Sequence, residues 1–221
     1  MPELRSGVCT IVLAAGQGSR FREQLNTDKL LAPCERSAGS RLVLESTLGA
    51  LYGAAEQLVV VVRQDNFELL AWLDQMAAHF DAAVLGVRSD GLGHSLAQAV
   101  ARYPARRGWL IALGDMPYIR PDTVQRITGA MRPESLVAPV HQGKRGHPRG
   151  IGRQHLDALL TLKGDRGAQH LFTQHGVVEL QVDDPGVLLD IDRPEDVLQC
   201  SGATTTPERS ALSRGRTTLK P

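Results

Sequence analysis

At 221 residues, 42% of them hydrophobic, the chain suits one α/β domain with a sizeable core better than two very small domains. A formal net charge of +1 gives no bulk electrostatic handle for nucleic acid or another polyanion. Cys9, Cys34 and Cys200 are odd in number and widely spaced, which argues against a disulfide framework or a zinc site and for a reducing compartment.

The N-terminus, MPELRSG, has no signal core, and no apolar run approaches membrane-spanning length, so a soluble cytoplasmic protein is expected. Val8, Ile11, Val12 and Leu13 form a short apolar run that predicts a strand covered on both faces. Ala15, Gly16, Gln17, Gly18 and Ser19 follow. None has the bulk to keep a ligand from the backbone, and such a turn can aim successive N–H groups at an anion. Arg20 and Lys29 add two cations suited to phosphate oxygens, Arg through paired hydrogen bonds and Lys as a point charge.

Leu42, Leu44, Leu48 and Leu51 recur at helical spacing and predict a helix over 41–54. Leu58–Val62 reads as a second strand, Phe67–His79 as a helix, Ala82–Val87 as a third strand, and GLGHSLAQAVARY (91–103) as a turn into a helix. Trp109–Leu113 is a fourth strand, ending in Gly114 and Asp115. Pro121–Met131 is a helix with proline in its first turn, where the missing N–H costs nothing. Leu136–Val140 is again a strand, and His141–Gly152, dense in Gly and cations, is expected to be a loop. Gln154–Leu162 and a segment beginning in KGDRGAQHLFTQH read as helical, Val177–Val182 as a strand, and Pro194–Leu198 as a short helix. Residues 1–200 thus form the expected domain. Residues 201–221 form a Ser/Thr/Arg/Pro-rich tail, expected to be disordered, which carries the chain's slight positive excess.

Alternating strands and helices imply βαβ units in a parallel sheet, whose ligands bind beyond the carboxyl ends of the strands. A dinucleotide reading of Gly16-Gln17-Gly18 fails because the third glycine would fall on Phe21. Arg22–Asp28 also reads as a charged loop rather than the required helix, and no G-K-[S/T] is present for a P-loop. Asp115, at the end of an apolar strand, suits a hard cation shared with phosphate oxygens, or a capped turn. Asp190 and Asp192, two apart on an expected strand, would share a face, with Asp192 as a helix cap the alternative. His94 and Ser95 open a helix whose N–H groups suit an anion or a base edge. His147 lies among Lys144, Arg145 and Arg149, and no histidine has a metal-binding spacing.

LAAGQGSR…DKLL (13–31), GLGHSL (91–96), LGDMP (113–117), RGHP (145–148), KGDRGA (163–168) and DIDRPED (190–196) occur in that order. Together they resemble the MobA-like nucleotidyltransferases, and most closely their MocA branch, the molybdenum cofactor cytidylyltransferases. The resemblance covers Val8 to Val197. It implies a Rossmann-like three-layer α/β/α sandwich with a mostly parallel sheet, of the nucleotide-diphospho-sugar transferase type. It further implies Mg²⁺-dependent transfer of CMP from CTP to the terminal phosphate of molybdopterin, with pyrophosphate leaving. Ala14-Ala15-Gly16 matches the LAAG usual in the cytidylyl branch, where the guanylyl branch has LAGG.

On this resemblance Leu13, Ala14, Ala15, Gly16, Gln17 and Gly18 line the nucleotide, Arg20 and Lys29 hold the triphosphate, and Gly91 to Ser95 face base and ribose. Asp115 is the main magnesium ligand and Asp192 the second. Arg145, Gly146, His147, Asp165 and Gly167 line the acceptor side. Such chemistry needs positioning and charge neutralisation rather than a protein nucleophile. Two departures stand out: the family's R-M-G-x-x-K reads Arg20-Phe21-Arg22 here with Lys29 about four residues late, and K-G-D-x-G-A-R ends in Gln169. Either the loop bulges and Lys29 still reaches the phosphates, or binding is impaired. Without an attached helix-turn-helix or oxidoreductase module, a stand-alone transferase domain is expected, with a molybdoenzyme or its chaperone as a partner. The alternatives are nucleotidyl transfer to a sugar phosphate or phospholactate, and a non-catalytic nucleotide- or cofactor-binding accessory protein.

Overall fold

The computed structural model describes residues 6–36, 39–174 and 176–201; the expected disordered tail, beyond Ser201, lies outside them. Among the described residues the strands are β1 (Ser6–Ala14), β2 (Pro33–Arg36), β3 (Gly39–Leu42), β4 (Gln57–Arg63), β5 (Ala82–Val87), β6 (Ala105–Leu113), β7 (Leu136–His141), β8 (Lys144–Arg145), β9 (Arg149–Gly152) and β10 (Val177–Gln181). The helices are α1 (Ser19–Leu25), α2 (Val43–Leu51), α3 (Phe67–Met76), α4 (Leu92–Arg102), α5 (Pro121–Ala130), α6 (Leu156–Leu160), α7 (Leu171–Gln174) and α8 (Pro194–Ser201).

The main sheet runs β10-β7-β9-β6-β1-β4-β5, with β8 paired to β7. Every pairing between β1, β4, β5 and β6, and between β7 and β10, is parallel. β1 is central because both of its faces are apolar. Val8, Val12 and Ala14 pack under α2, α3 and α5, while Cys9, Ile11 and Leu13 pack under α4, α6 and α7. Full burial of each such Val, Leu or Ile contributes roughly 1.5–3 kcal/mol, enough to fix the register of the central strands. The result is a three-layer α/β/α sandwich. Burial pushes the Cys9 thiol up to about 12, which makes it an unreactive core residue.

Four sequence expectations are corrected. His141–Gly152 is not a loop throughout: β9 inserts antiparallel between β6 and β7. Its glycines hid it, because they serve close packing rather than flexibility; a Cβ on Gly152 would sit 2.3 Å from the Pro133 carbonyl oxygen. Ser19–Leu25 is a helix where Arg22–Asp28 reads as a charged loop. Leu42, expected inside the first long helix, instead ends β3, which pairs antiparallel with β2 in a separate hairpin. Asp190 and Asp192 lie outside any strand, after a 3-10 turn at Pro185–Leu188.

Candidate active site

The carboxyl ends of β1, β4, β5 and β6 open onto one cavity of about 480 Å³. Leu13 to Gln17 form one wall, Ser89 to Leu92 and Ser95 another, and Lys29, Arg63 and Asp115 supply charge. Among the described residues no backbone bond engages the N–H of Gly16 or Gln17. Gly18 then takes a left-handed conformation (φ 58°) that turns the chain into α1.

The late Lys29 reaches the site because α1 and the turn after it absorb the extra residues. Asn26 ends α1 with φ 50°, and Asp28 caps the short turn Lys29–Leu31. Asp28 is buried, and its carboxylate accepts from Leu30 N–H (2.9 Å), Arg22 Nη2 (2.8 Å) and Asn66 Nδ2 (2.7 Å). That network fixes the backbone from which Lys29 projects. Lys29 Nζ donates to Asp115 Oδ2 at 2.6 Å and to Asp192 Oδ1 at 3.5 Å, and Arg20 Nη1 donates to Asp192 Oδ2 at 2.8 Å. Burial opposes the Lys29 charge and is the largest single influence on it, but the Asp115 and Asp192 carboxylates outweigh it and raise its pKa above the ordinary lysine value.

Asp192 is brought here by the backbone: the buried Ile191 donates its N–H to the Asp115 carbonyl at 2.9 Å. It does not cap α8, since Asp196 accepts from the N–H groups of Asp192 and Arg193 (2.9 and 2.7 Å). The neighbouring Asp190 carboxyl is pushed up, first by burial and then by the Asp115 charge.

The other oxygen of Asp115, Oδ1, is buried without a hydrogen-bond partner. A buried carboxylate oxygen left unpaired beside a second carboxylate is a donor set suited to a hard divalent cation. The carboxylates of Asp115 and Asp192 therefore suit a hard divalent cation. Among the described residues no group of three or more His, Cys, Asp or Glu could cage a metal.

A second cavity of about 220 Å³ adjoins the first, sharing Leu13, Leu92, Leu113 and Asp165 with it. His147, Arg149, Gly167 and Phe172 line it. Its rim forms where GLG (91–93) meets KGDRGA: Gly93 and His94 donate their N–H groups to the Gly164 carbonyl (2.9 and 3.4 Å), and Ser95 N–H bonds Gly91 O (3.1 Å). The N–H groups of Gly93, His94 and Ser95 are thus taken by backbone carbonyls, while Gly91, Leu92 and Ser95 line the first cavity.

Of the residues singled out in the sequence, Leu13, Ala14, Ala15, Gly16, Gln17, Lys29, Gly91, Ser95 and Asp115 line the first cavity. Asp165 lines both, while His147 and Gly167 line the second. Gly18 sits behind the Lys29 stem, and Arg20 is exposed, lines neither cavity and pairs with Asp192. Arg145 and Gly146 line neither cavity. Arg145 donates to Glu179 (2.7 Å) and to the Phe172 carbonyl (2.8 Å), and Gly146 is buried against Val187. Arg63, which lines the first cavity, was missed in the sequence although a cation directly ending an apolar parallel strand was its signal. It is paired with Asp65.

The MobA-like NTP transferase domain, as a family profile, matches residues 10–179. The chain belongs to the MobA-like NTP transferase family. Among solved structures, this MobA-like domain is similar to Rv0371c of Mycobacterium tuberculosis H37Rv, with 30% identity and a TM-score of 0.71 over 87% of this chain and 97% of that one. A manganese complex of Rv0371c aligns at 26% identity and a TM-score of 0.69, covering 90% and 100% of the two chains. Among curated relatives, the bifunctional protein GlmU of Rhodopseudomonas palustris is 34% identical over 160 residues, 71% of this chain and 32% of the relative. GlmU of Azotobacter vinelandii is 36% identical over 245 residues, 92% of this chain and 50% of the relative. The MobA-like chain thus spans from a quarter to half the length of the curated relatives it matches. Among its described residues no helix is long and apolar enough to cross a membrane.

Burial, and next the Arg149 guanidinium, lower the pKa of His147 to about 4 from an ordinary 6.5. The unfolded chain takes up this proton near pH 6.5 while the folded chain refuses it until about pH 4. This contribution to stability is therefore complete above pH 6.5 and is lost on acidification, by about 3 kcal/mol across the window. Urea unfolding of wild type and His147→Phe at pH 7 and pH 4.5 measures it. The wild type should lose more stability than the variant on acidification.

Proposed function

We propose that this MobA-like protein is a nucleotidyltransferase of the MocA type, transferring CMP from CTP to the terminal phosphate of molybdopterin. The observation that carries the reading is Asp115, set at the carboxyl end of β6 with one oxygen against Lys29 and the other buried and unpartnered beside the cavity. LAAG at 13–16 and the six motifs in order support the cytidylyl branch. In the transfer, an acceptor phosphate oxygen attacks the α-phosphorus of CTP, a new P–O bond forms, the bond to the β-phosphate breaks and pyrophosphate leaves. Leu13 to Gln17 seat the nucleotide. Lys29 exchanges Asp115 for phosphate oxygens, and Arg63 stands at the same edge as a further cation. Mg²⁺, held by Asp115 and Asp192, supplies charge neutralisation when bound. The chain's own share is to position two phosphates in line and exclude water, which suits a site without an activated Ser or Cys.

Purified protein given Mg²⁺, CTP and molybdopterin is expected to release pyrophosphate and form a CMP-linked pterin. Release with a sugar phosphate in place of molybdopterin, and none with molybdopterin, would move the acceptor. No release with any acceptor would favour a binding protein.

A further inference from the structure

The turn that carries Lys29 is held by a side chain from outside the nucleotide cavity. Asn66 is half-buried and stands directly before α3, whose Leu69 and Leu73 are fully buried in the core. Its N–H donates to the Arg63 carbonyl at the end of β4 (3.1 Å), and its carbonyl accepts from Leu70 N–H (3.0 Å). The side chain works in two directions. Oδ1 accepts from Leu69 N–H at 3.2 Å and caps the helix, while Nδ2 donates to Asp28 Oδ2 at 2.7 Å. Each role admits one atom of the amide, because an N–H needs an acceptor and a carboxylate needs a donor. Asp28 in turn takes Leu30 N–H on its other oxygen and starts the turn Lys29–Leu31. Of the three donors to Asp28, Leu30 belongs to that turn itself and Arg22 to α1, which buries Phe21 alone. Asn66 is the donor anchored in the core. A lysine side chain gives up much rotamer freedom when it is held, so its aim depends on how firmly its root is fixed.

We propose that Asn66 is a positioning residue for Lys29: by holding Asp28 against the start of α3 it sets the aim of the ammonium, and with it the affinity for a nucleoside triphosphate. Asn66 itself lines no part of the first cavity. The affinity half rests on reading that cavity as a triphosphate site, whereas the positioning half stands on the hydrogen bonds alone. The two directions of the amide are separable, because aspartate caps a helix as well as asparagine does but has no N–H to give. Asn66→Asp therefore keeps α3 capped and sets two carboxylates against each other across the former bond. Asp28→Asn does the converse: with one oxygen left at position 28, either Leu30 N–H or the Asn66 amide faces another donor. Combining the two substitutions restores the bond with its direction reversed, residue 28 donating and residue 66 accepting, while both turns keep their caps.

CTP with Mg²⁺ is titrated by calorimetry into the full chain as wild type, as each single variant and as the double variant. Each single variant is expected to bind about tenfold more weakly, the effect of one hydrogen bond to a charged group. The double variant should recover most of that loss, which a merely structural defect would not allow. Amide hydrogen exchange on the ligand-free proteins reads the positioning directly. In Asn66→Asp the segment 28–32 should exchange faster while α3 keeps its wild-type protection. Wild-type CTP affinity in Asn66→Asp, additive losses in the double variant, or unchanged exchange at 28–32 would each overturn the proposal. So would an equal loss of protection in α3, since the bond to Asp28 would then not be the cause. A wild-type protein that binds no CTP would overturn the triphosphate reading and the affinity half with it, and the exchange result would still decide the positioning half.

Discussion

Asp115→Asn is expected to lower kcat for pyrophosphate release by about 10³-fold at saturating CTP and Mg²⁺, equivalent to roughly 4 kcal/mol of transition-state stabilisation. The substitution keeps the shape of the side chain and removes its charge, so the Oδ1 position no longer offers a metal an anionic ligand. It also removes the partner of the Lys29 ammonium at 2.6 Å. The fold is expected to persist, because Asp192 still faces Lys29 at 3.5 Å and Ile191 N–H still bonds the residue 115 carbonyl. Steady-state pyrophosphate release and a melting curve on the same preparation separate the two effects. Activity within tenfold of wild type would remove Asp115 from the chemistry.

Gly93→Ala is expected to cost about 3 kcal/mol, a fall in Tm of roughly 6–12 °C for a domain of this size. A Cβ there would lie 2.2 Å from the Arg166 carbonyl oxygen and 3.1 Å from the Gly164 carbonyl oxygen, both backbone, so no flexible side chain can yield. The 163–168 loop must move away from α4, and Asp165, which lines both cavities, moves with it. Loss of CTP affinity should accompany the loss of stability. Gly129→Ala in α5 is the control: its Cβ meets nothing within 4 Å, and a gain of about 0.4–1 kcal/mol is expected there. Equal melting temperatures for the two variants would refute the close-packing account.

The central strands were legible because burial on both faces leaves a continuous apolar run: LVVVV at 58–62 and WLIAL at 109–113 admit little else. The meeting of Asp115 and Lys29 was legible only through ordered motifs, since 86 residues separate them. Short elements with little burial were not legible. α1 buries Phe21 alone, so SRFREQL shows no helical period, and its existence is fixed by tertiary contact. β9 is spelled Arg-Gly-Ile-Gly, a turn composition, because its neighbours leave no room for side chains. Asp192 reaches the site through a backbone bond from Ile191, for which a sequence carries no local signal. Arg149 was visible as one cation among several; its stacking on Phe172, 23 positions further on, distinguishes it only in three dimensions.

The most direct test of the account is the melting temperature of the wild-type protein with CTP, GTP, ATP or UTP, each with and without Mg²⁺. A ligand bound only by the native state at a hundredfold excess over Kd adds roughly 2.7 kcal/mol, a shift of roughly 5–10 °C at this chain length. The account predicts a magnesium-dependent shift with CTP that exceeds those of the other three. No shift with any nucleotide would contradict it, because the cavity bounded by Leu13–Gln17, Lys29 and Asp115 would then not be a triphosphate site.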